Sequence, residues 1–425
     1  MRTTTATVAL LLALSLSAPA GAQQHDHSGA VGASVDELVA IAKSMNPDVQ
    51  VMALEADAAA ARVEGAGSFA DPKVQIVYED WPKSTSSVLP NNSTSGTTKK
   101  FRVFQELPFW GKRDLKREIA EAGARKAAIL KKQVENDLVA KVKVAYAEYH
   151  QAHLTIDLAR DLKARMGTLS KLSSVRYGQG IGKQQDVTRA EVERSTLETE
   201  IVRMQGERAK ARAKINRLLA RPVGAPLVEA PAPRTLPPME ALDLDALIGR
   251  AQGANPDILA QQAAIEGADK GVSLAERNWY PDVEVGVGAV RRQGELDSYE
   301  FMLTSSVPLQ WGLRTSEIGE SKAMAAAARM RREARANELG NEVADAWISL
   351  KNAREVETVL REGQVPQAEI GFQAAAKGYE LGRAEFLDVL TAEQQLWKSN
   401  IELIKVRFDQ QIRMAELEKL VGGEL

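Results

Sequence analysis

Two hydrophobic periods alternate along the chain. From Lys73 to Trp81, Val74, Ile76 and Tyr78 fall on one face and Gln75, Val77 and Glu79 on the other, the twofold alternation of a strand. A loop rich in Ser, Thr, Asn and Gly from Pro82 to Thr98 leads to a second strand, Lys100 to Leu107. The pattern returns at Val283, Val285, Val287 and Ala289, then a turn from Arg291 to Asp297, then Tyr299, Phe301, Leu303 and Ser305. Elsewhere the period is helical. Leu138, Val142, Ala145, Tyr149, Ala152, Ile156 and Ala159 alternate steps of four and three, a heptad seam. The stretch from Lys112 to about Ser174 lacks proline, so one helix of roughly 90 Å is predicted there. A return helix follows from Gln184 to Ala220, and a second pair occupies Gly312 to Gly422. Ahead of the first hairpin, one helix is predicted over Val35 to Gly67, with Ser34 as N-cap and Glu37 as its capping-box partner.

The order of elements occurs twice. Asn46-Pro47-Asp48 returns as Asn255-Pro256-Asp257, and Pro72 returns as Pro281. Tyr177, Gly180, Asp186, Val187, Ala190 and Glu191 recur with the same spacing as Tyr379, Gly382, Asp388, Val389, Ala392 and Glu393. Such long repeats predict one pseudo-symmetric domain with two halves. The first half is residues 23–220, with a hairpin at 73–107 and a helical tip near 177–183. The second is 239–425, with a hairpin at 282–308 and a tip near 379–385. Six prolines mark residues 221–238 as the linker between them.

Residues 1–22 read as a signal peptide: Arg2, an apolar stretch from Val8 to Leu16, then small residues. The chain has no cysteine, which excludes disulfides and thiol chemistry. Charged residues make up 26% and balance to a net −2, so nucleic acid is not an expected partner. No later apolar run approaches the roughly 18 residues of a membrane helix, so any membrane passage is expected through strands. Four strands are too few to close a barrel, which takes about eight, and an open sheet leaves unpaired edges. Several copies of the chain are therefore expected to contribute to one barrel.

Little in the sequence points to an enzyme. There is no nucleophile elbow, phosphate loop or dense ligand cluster, and no cofactor is expected. His150 and His153 sit three apart on the long helix, and His25 and His27 follow the signal peptide. All four are weak metal candidates: a solvated pair is the alternative for His150 and His153, and His25-Asp26-His27 is a short run that would form at most a flexible metal-binding arm.

In its signal peptide, its two copies of helix, hairpin and long helical pair, the segment Pro108 to Arg113 and the doubled tip motif Tyr-x-x-Gly-x5-Asp-Val-x2-Ala-Glu, the chain resembles the TolC family of outer-membrane efflux channels. The resemblance spans essentially the whole mature chain. It implies a mainly α fold with a small β part: a homotrimer whose four strands per chain form a twelve-stranded outer-membrane barrel, above a periplasmic tunnel of coiled-coil helices. It also implies a periplasmic adaptor protein and an inner-membrane pump as partners, with membrane lipid around the barrel. Leu107 to Glu118 is most similar to members serving heavy-metal pumps of the resistance-nodulation-division type. Drug efflux and type I secretion are alternatives within the fold, and a soluble periplasmic coiled-coil protein is the alternative outside it.

The resemblance also assigns roles to residues. Gly180, Ile181, Leu381, Gly382 and Arg383 match the tip turns where adaptor hairpins dock. Tyr379, Asp388 and Asp186 match positions that close the channel, with helix capping as the competing role for both acids. Thr391 and Ala384 stand where the best-known pattern has an acid and a base, so Arg383 or Arg176 is expected to substitute. Pro108, Gly111, Pro308 and Gly312 are expected at the barrel-to-tunnel junction. Trp110, Trp279 and Trp311 are expected in an aromatic girdle there, or simply as packing residues.

Overall fold

The computed structural model describes residues 30–79, 98–229, 234–292 and 294–425. The expected signal peptide, His25, His27, the polar loop after Glu79 and the middle of the linker lie outside them.

The first array runs α1 (Val35–Met45), α2 (Pro47–Ala66), β1 (Lys73–Glu79), β2 (Thr98–Leu107), α3 (Lys112–Gly178) and α4 (Gln184–Leu218). The second runs α5 (Leu244–Ala254), α6 (Pro256–Arg277), β3 (Asp282–Arg292), β4 (Glu295–Ser306), α7 (Trp311–Val359), α8 (Val365–Glu380) and α9 (Phe386–Val421). Each array begins with two helices rather than the single one expected. Proline forces the residue before it out of the α region, and Asn46 and Asn255 are extended there. Each Asn caps the next helix, its Oδ1 accepting from Asp48 N at 2.9 Å or Asp257 N at 2.8 Å. Each also donates Nδ2 to the end of its return helix, Asn46 to Leu218 O and Asn255 to Leu420 O. The repeated Asn-Pro-Asp is thus a corner pinned to the end of the array.

The helix α3 has 67 residues, about 100 Å, and every seam residue read from its heptads is buried. The α7–α8 path contains one π-helical turn, Leu360–Gln364, just before Pro366. The wider turn accommodates a residue that cannot donate to the helical ladder.

One antiparallel sheet has the order β1-β2-β3-β4, so β2 and β3 join the arrays and β1 and β4 are its edges within the protomer. The β3–β4 hairpin is longer and its turn tighter than expected, with pairing as far as Arg292↔Glu295. One face exposes Val74, Ile76, Phe101, Val103, Val287, Tyr299, Phe301 and Leu303. The other carries charges: Lys100 pairs with Glu79 at 2.6 Å, Lys73 with Glu284 at 3.4 Å, and Arg102 with Glu300 at 2.8 Å. The last pair spans from β2 to β4 over Gly288 of β3, where a side chain would obstruct it. No helix among the described residues is long and apolar enough to cross a membrane.

At the junction below the sheet, Gly111 has φ +81°, and a Cβ there would meet the Arg277 guanidinium. Lys112, buried, donates to Tyr280 O and to Asp282 Oδ1, both at 2.8 Å. Gly312, the counterpart of Gly111 in the second half, does not bend the chain in the same way: it lies in the first turn of α7 without a positive φ. Pro108 and Pro308 each fall just beyond a strand end. Trp110 and Trp311 are largely exposed and Trp279 partly so, while Phe109 and Tyr280 stack with ring centroids 4.4 Å apart.

Candidate functional site

At the far end, α3 and α4 reverse through one turn and α8 and α9 through another. Gly180 and Gly382 both have φ +74°, a left-handed conformation that glycine takes without strain. Ile181 and Leu381 project into solvent, and Arg383 is also exposed. These turns present a small apolar surface with backbone close to it.

Just behind the turns, the four helices share a core containing Leu162, Met166, Ala190, Phe372, Phe386 and Val389. Tyr379 of α8 is buried in it and links the two hairpins. Its hydroxyl lies 3.0 Å from Ser173 Oγ of α3 and donates to Asp186 Oδ2 of α4 at 3.3 Å. Its ring meets Phe386 edge-on, centroids 5.3 Å apart. Burial and the Asp186 charge push the Tyr379 hydroxyl above its ordinary pKa, against the Ser173 hydrogen bond and the Arg176 charge. The phenol therefore stays neutral and able to donate at physiological pH.

Arg176 of α3 closes the network from the side. Its Nη1 donates to Tyr379 O at 2.7 Å, and its guanidinium carbon lies 5.0 Å from the Tyr379 ring centroid. Lys183 and Glu385 add an exposed pair at 3.2 Å, of little energetic weight. Ser173 was not legible as a site residue, since a serine on a long helix normally returns its proton to the preceding turn. Ser173 Oγ also lies 2.9 Å from Leu169 O, so its one proton is shared between that carbonyl and the Tyr379 hydroxyl.

The two tyrosines of the repeated motif differ: Tyr379 is buried, whereas Tyr177 is exposed. The acids differ too. Asp186 bonds to Tyr379, whereas Asp388 is exposed and accepts from Glu385 N at 3.0 Å in a capping box that starts α9. Within one protomer the structure thus brings together Tyr379, Asp186 and Arg176, and leaves Asp388 and Arg383 outside that network. His150 and His153 form no metal cluster, and no group of three potential ligands occurs among the described residues. His153 Nε2 lies 3.3 Å from Asp157, and burial, with the neighbouring His153, lowers the pKa of His150.

The family model for outer membrane efflux proteins matches residues 38–221 and 247–423. The chain is a member of the outer membrane efflux protein family. Membership assigns it to the outer membrane, with its helices in the periplasm. It is 23% identical to the cobalt-zinc-cadmium resistance protein CzcC of Cupriavidus metallidurans, over 92% of this chain and 90% of that protein. The outer membrane protein TolC of Vibrio cholerae is 23% identical over 93% of this chain and 92% of its own. Among solved structures, CusC superposes with a TM-score of 0.76 at 17% identity, covering 92% of this chain and 93% of that one.

Proposed function

We propose that this family member is the outer-membrane conduit of a tripartite efflux system, gated at its helical tips and serving metal cations. Three copies would join their open sheet edges into a twelve-stranded barrel, exposed apolar faces toward lipid and charged faces toward the lumen. An open sheet with one apolar, exposed face and unpaired edges is unfavourable for a lone chain, and closure into a barrel within lipid satisfies both the edges and the face. Strands of 10 to 12 residues in β2, β3 and β4 suit a bilayer crossing.

The observation that carries the gate is the buried Tyr379–Asp186 link between the two hairpins of a protomer. Breaking it lets the α8–α9 hairpin move away from α3–α4. Asp388, exposed at the tips, would meet its two copies near the axis and favour cations. Gly180, Ile181, Leu381, Gly382 and Arg383 would receive the helical hairpins of a periplasmic adaptor, six tips per trimer. Energy comes from an inner-membrane pump of the resistance-nodulation-division type, and this chain performs no chemistry.

The metal reading is supported by the match to CzcC along nearly its whole length. Removing this chain from its host should raise intracellular zinc, cobalt or cadmium under metal challenge, as measured by elemental analysis. Unchanged metal with new sensitivity to organic compounds would overturn the substrate class.

A further inference from the structure

The tip motif ends in a glutamate in both halves, Glu191 and Glu393, and the fold treats the two in opposite ways. Glu191 lies on the surface, held by Ser170 and Arg194. Glu393 is fully buried, on the seam of α9 between Val389 and Leu396. Neither of its carboxyl oxygens has a hydrogen-bond partner. It is enclosed by its own protomer, so a neighbouring copy in a trimer could not reach it.

Glu193 occupies the α4 seam between Ala190 and Leu197, and its carboxyl is the charge that acts on Glu393. Glu193 is half-buried and bonded to Gln394. Three cations on the surrounding helices are engaged elsewhere: Lys163 of α3 with Glu198, Arg165 of α3 with Asp161 and with Glu369 of α8, and Arg194 of α4 with Glu191. An ionised carboxylate with no partner in such a seam is costly. The packed tip therefore requires a proton there.

We infer that Glu393, facing Glu193, is a proton-binding latch: the tip hairpins pack when it is protonated and loosen when it ionises. The latch rests on the reading of the tips as a gate. Burial first, and then Glu193, push the Glu393 carboxyl up from 4.5 to about 7. Below the ordinary value both packed and opened tips hold the proton, and pH has no effect. Between the two values only the packed tip holds it, so a rise in pH favours opening by up to tenfold per unit. The gain reaches about 300-fold above the upper value and stays there.

Purified full-length trimers test this in two ways. Infrared titration should show a protonated-carboxyl band with a midpoint near 7 in the wild type, absent from Glu393→Gln and moved to lower pH in Glu193→Gln. In planar bilayers, wild-type conductance should rise between about pH 5 and pH 8, while Glu393→Gln should lose most of that rise and keep only the smaller part due to Glu193, whose carboxyl burial also raises. Absence of the band, or a pH response identical in wild type and Glu393→Gln, would overturn the latch. If the band titrates as expected but Tyr379→Phe conducts no more than wild type at about pH 5, the gate reading fails instead.

Discussion

At the scale of single residues, the most informative side chains do two jobs at once. Asn255 caps α6 and also donates to Leu420 O, while buried. Losing a cap costs about 1 kcal/mol, and leaving a carbonyl unsatisfied costs about 1 more. Asn255→Ala and Asn46→Ala should therefore each destabilise the protein by about 2 kcal/mol, read from denaturant midpoints. A cost within error would mean that the corner is held by Pro256 or Pro47 alone. The Asn-Pro-Asp repeat was plain in the sequence, but its cross-link was not, because the partners Leu218 and Leu420 offer only backbone oxygens. Tyr379 and Asp186 were legible as tip residues from spacing and resemblance. That they bond to each other follows only from how α8 lies against α4, and no periodicity encodes that. Ser173 gave no site signal beyond standing at a seam position where apolar residues are the rule, and Glu393 was visible only as the last residue of the repeated motif, where nothing set it apart from Glu191.

At the scale of elements, heptads and twofold alternation carried most of the fold. The long helices and all four strands were visible because each maintains one period over many residues. Breaks were harder to read. The division of α1 from α2 depends on one Asn-Pro pair inside an Ala-rich helical run, and the π turn is marked only by Pro366, which alone does not tell a widened turn from a helix end. At the junction the two halves match in sequence but not in conformation, since Gly111 takes a positive φ and Gly312 begins a helix. The tip turns, by contrast, are conformationally equal. Gly180→Ala and Gly382→Ala should each lower stability by about 1–2 kcal/mol, the cost of a left-handed non-glycine residue. Thermal unfolding of each variant measures this, and an unchanged transition would mean that the turn rearranges.

At the scale of the whole molecule, a single protomer is unfinished. Among the described residues its sheet has two open edges and an apolar face in solvent, and its tip helices are held by a few polar bonds around a small core. Trimerisation would close the first and place three copies of the second around an axis. Conductance through purified trimers in a planar bilayer tests this account most directly, with wild type compared against Tyr379→Phe and Asp186→Ala. A small, cation-preferring wild-type conductance is expected. Each substitution removes a hydrogen bond of about 1 kcal/mol and should raise the open-to-closed ratio about fivefold. Trimers that insert but conduct identically in all three forms would contradict a gate at Tyr379, and trimers that never insert would contradict the channel itself.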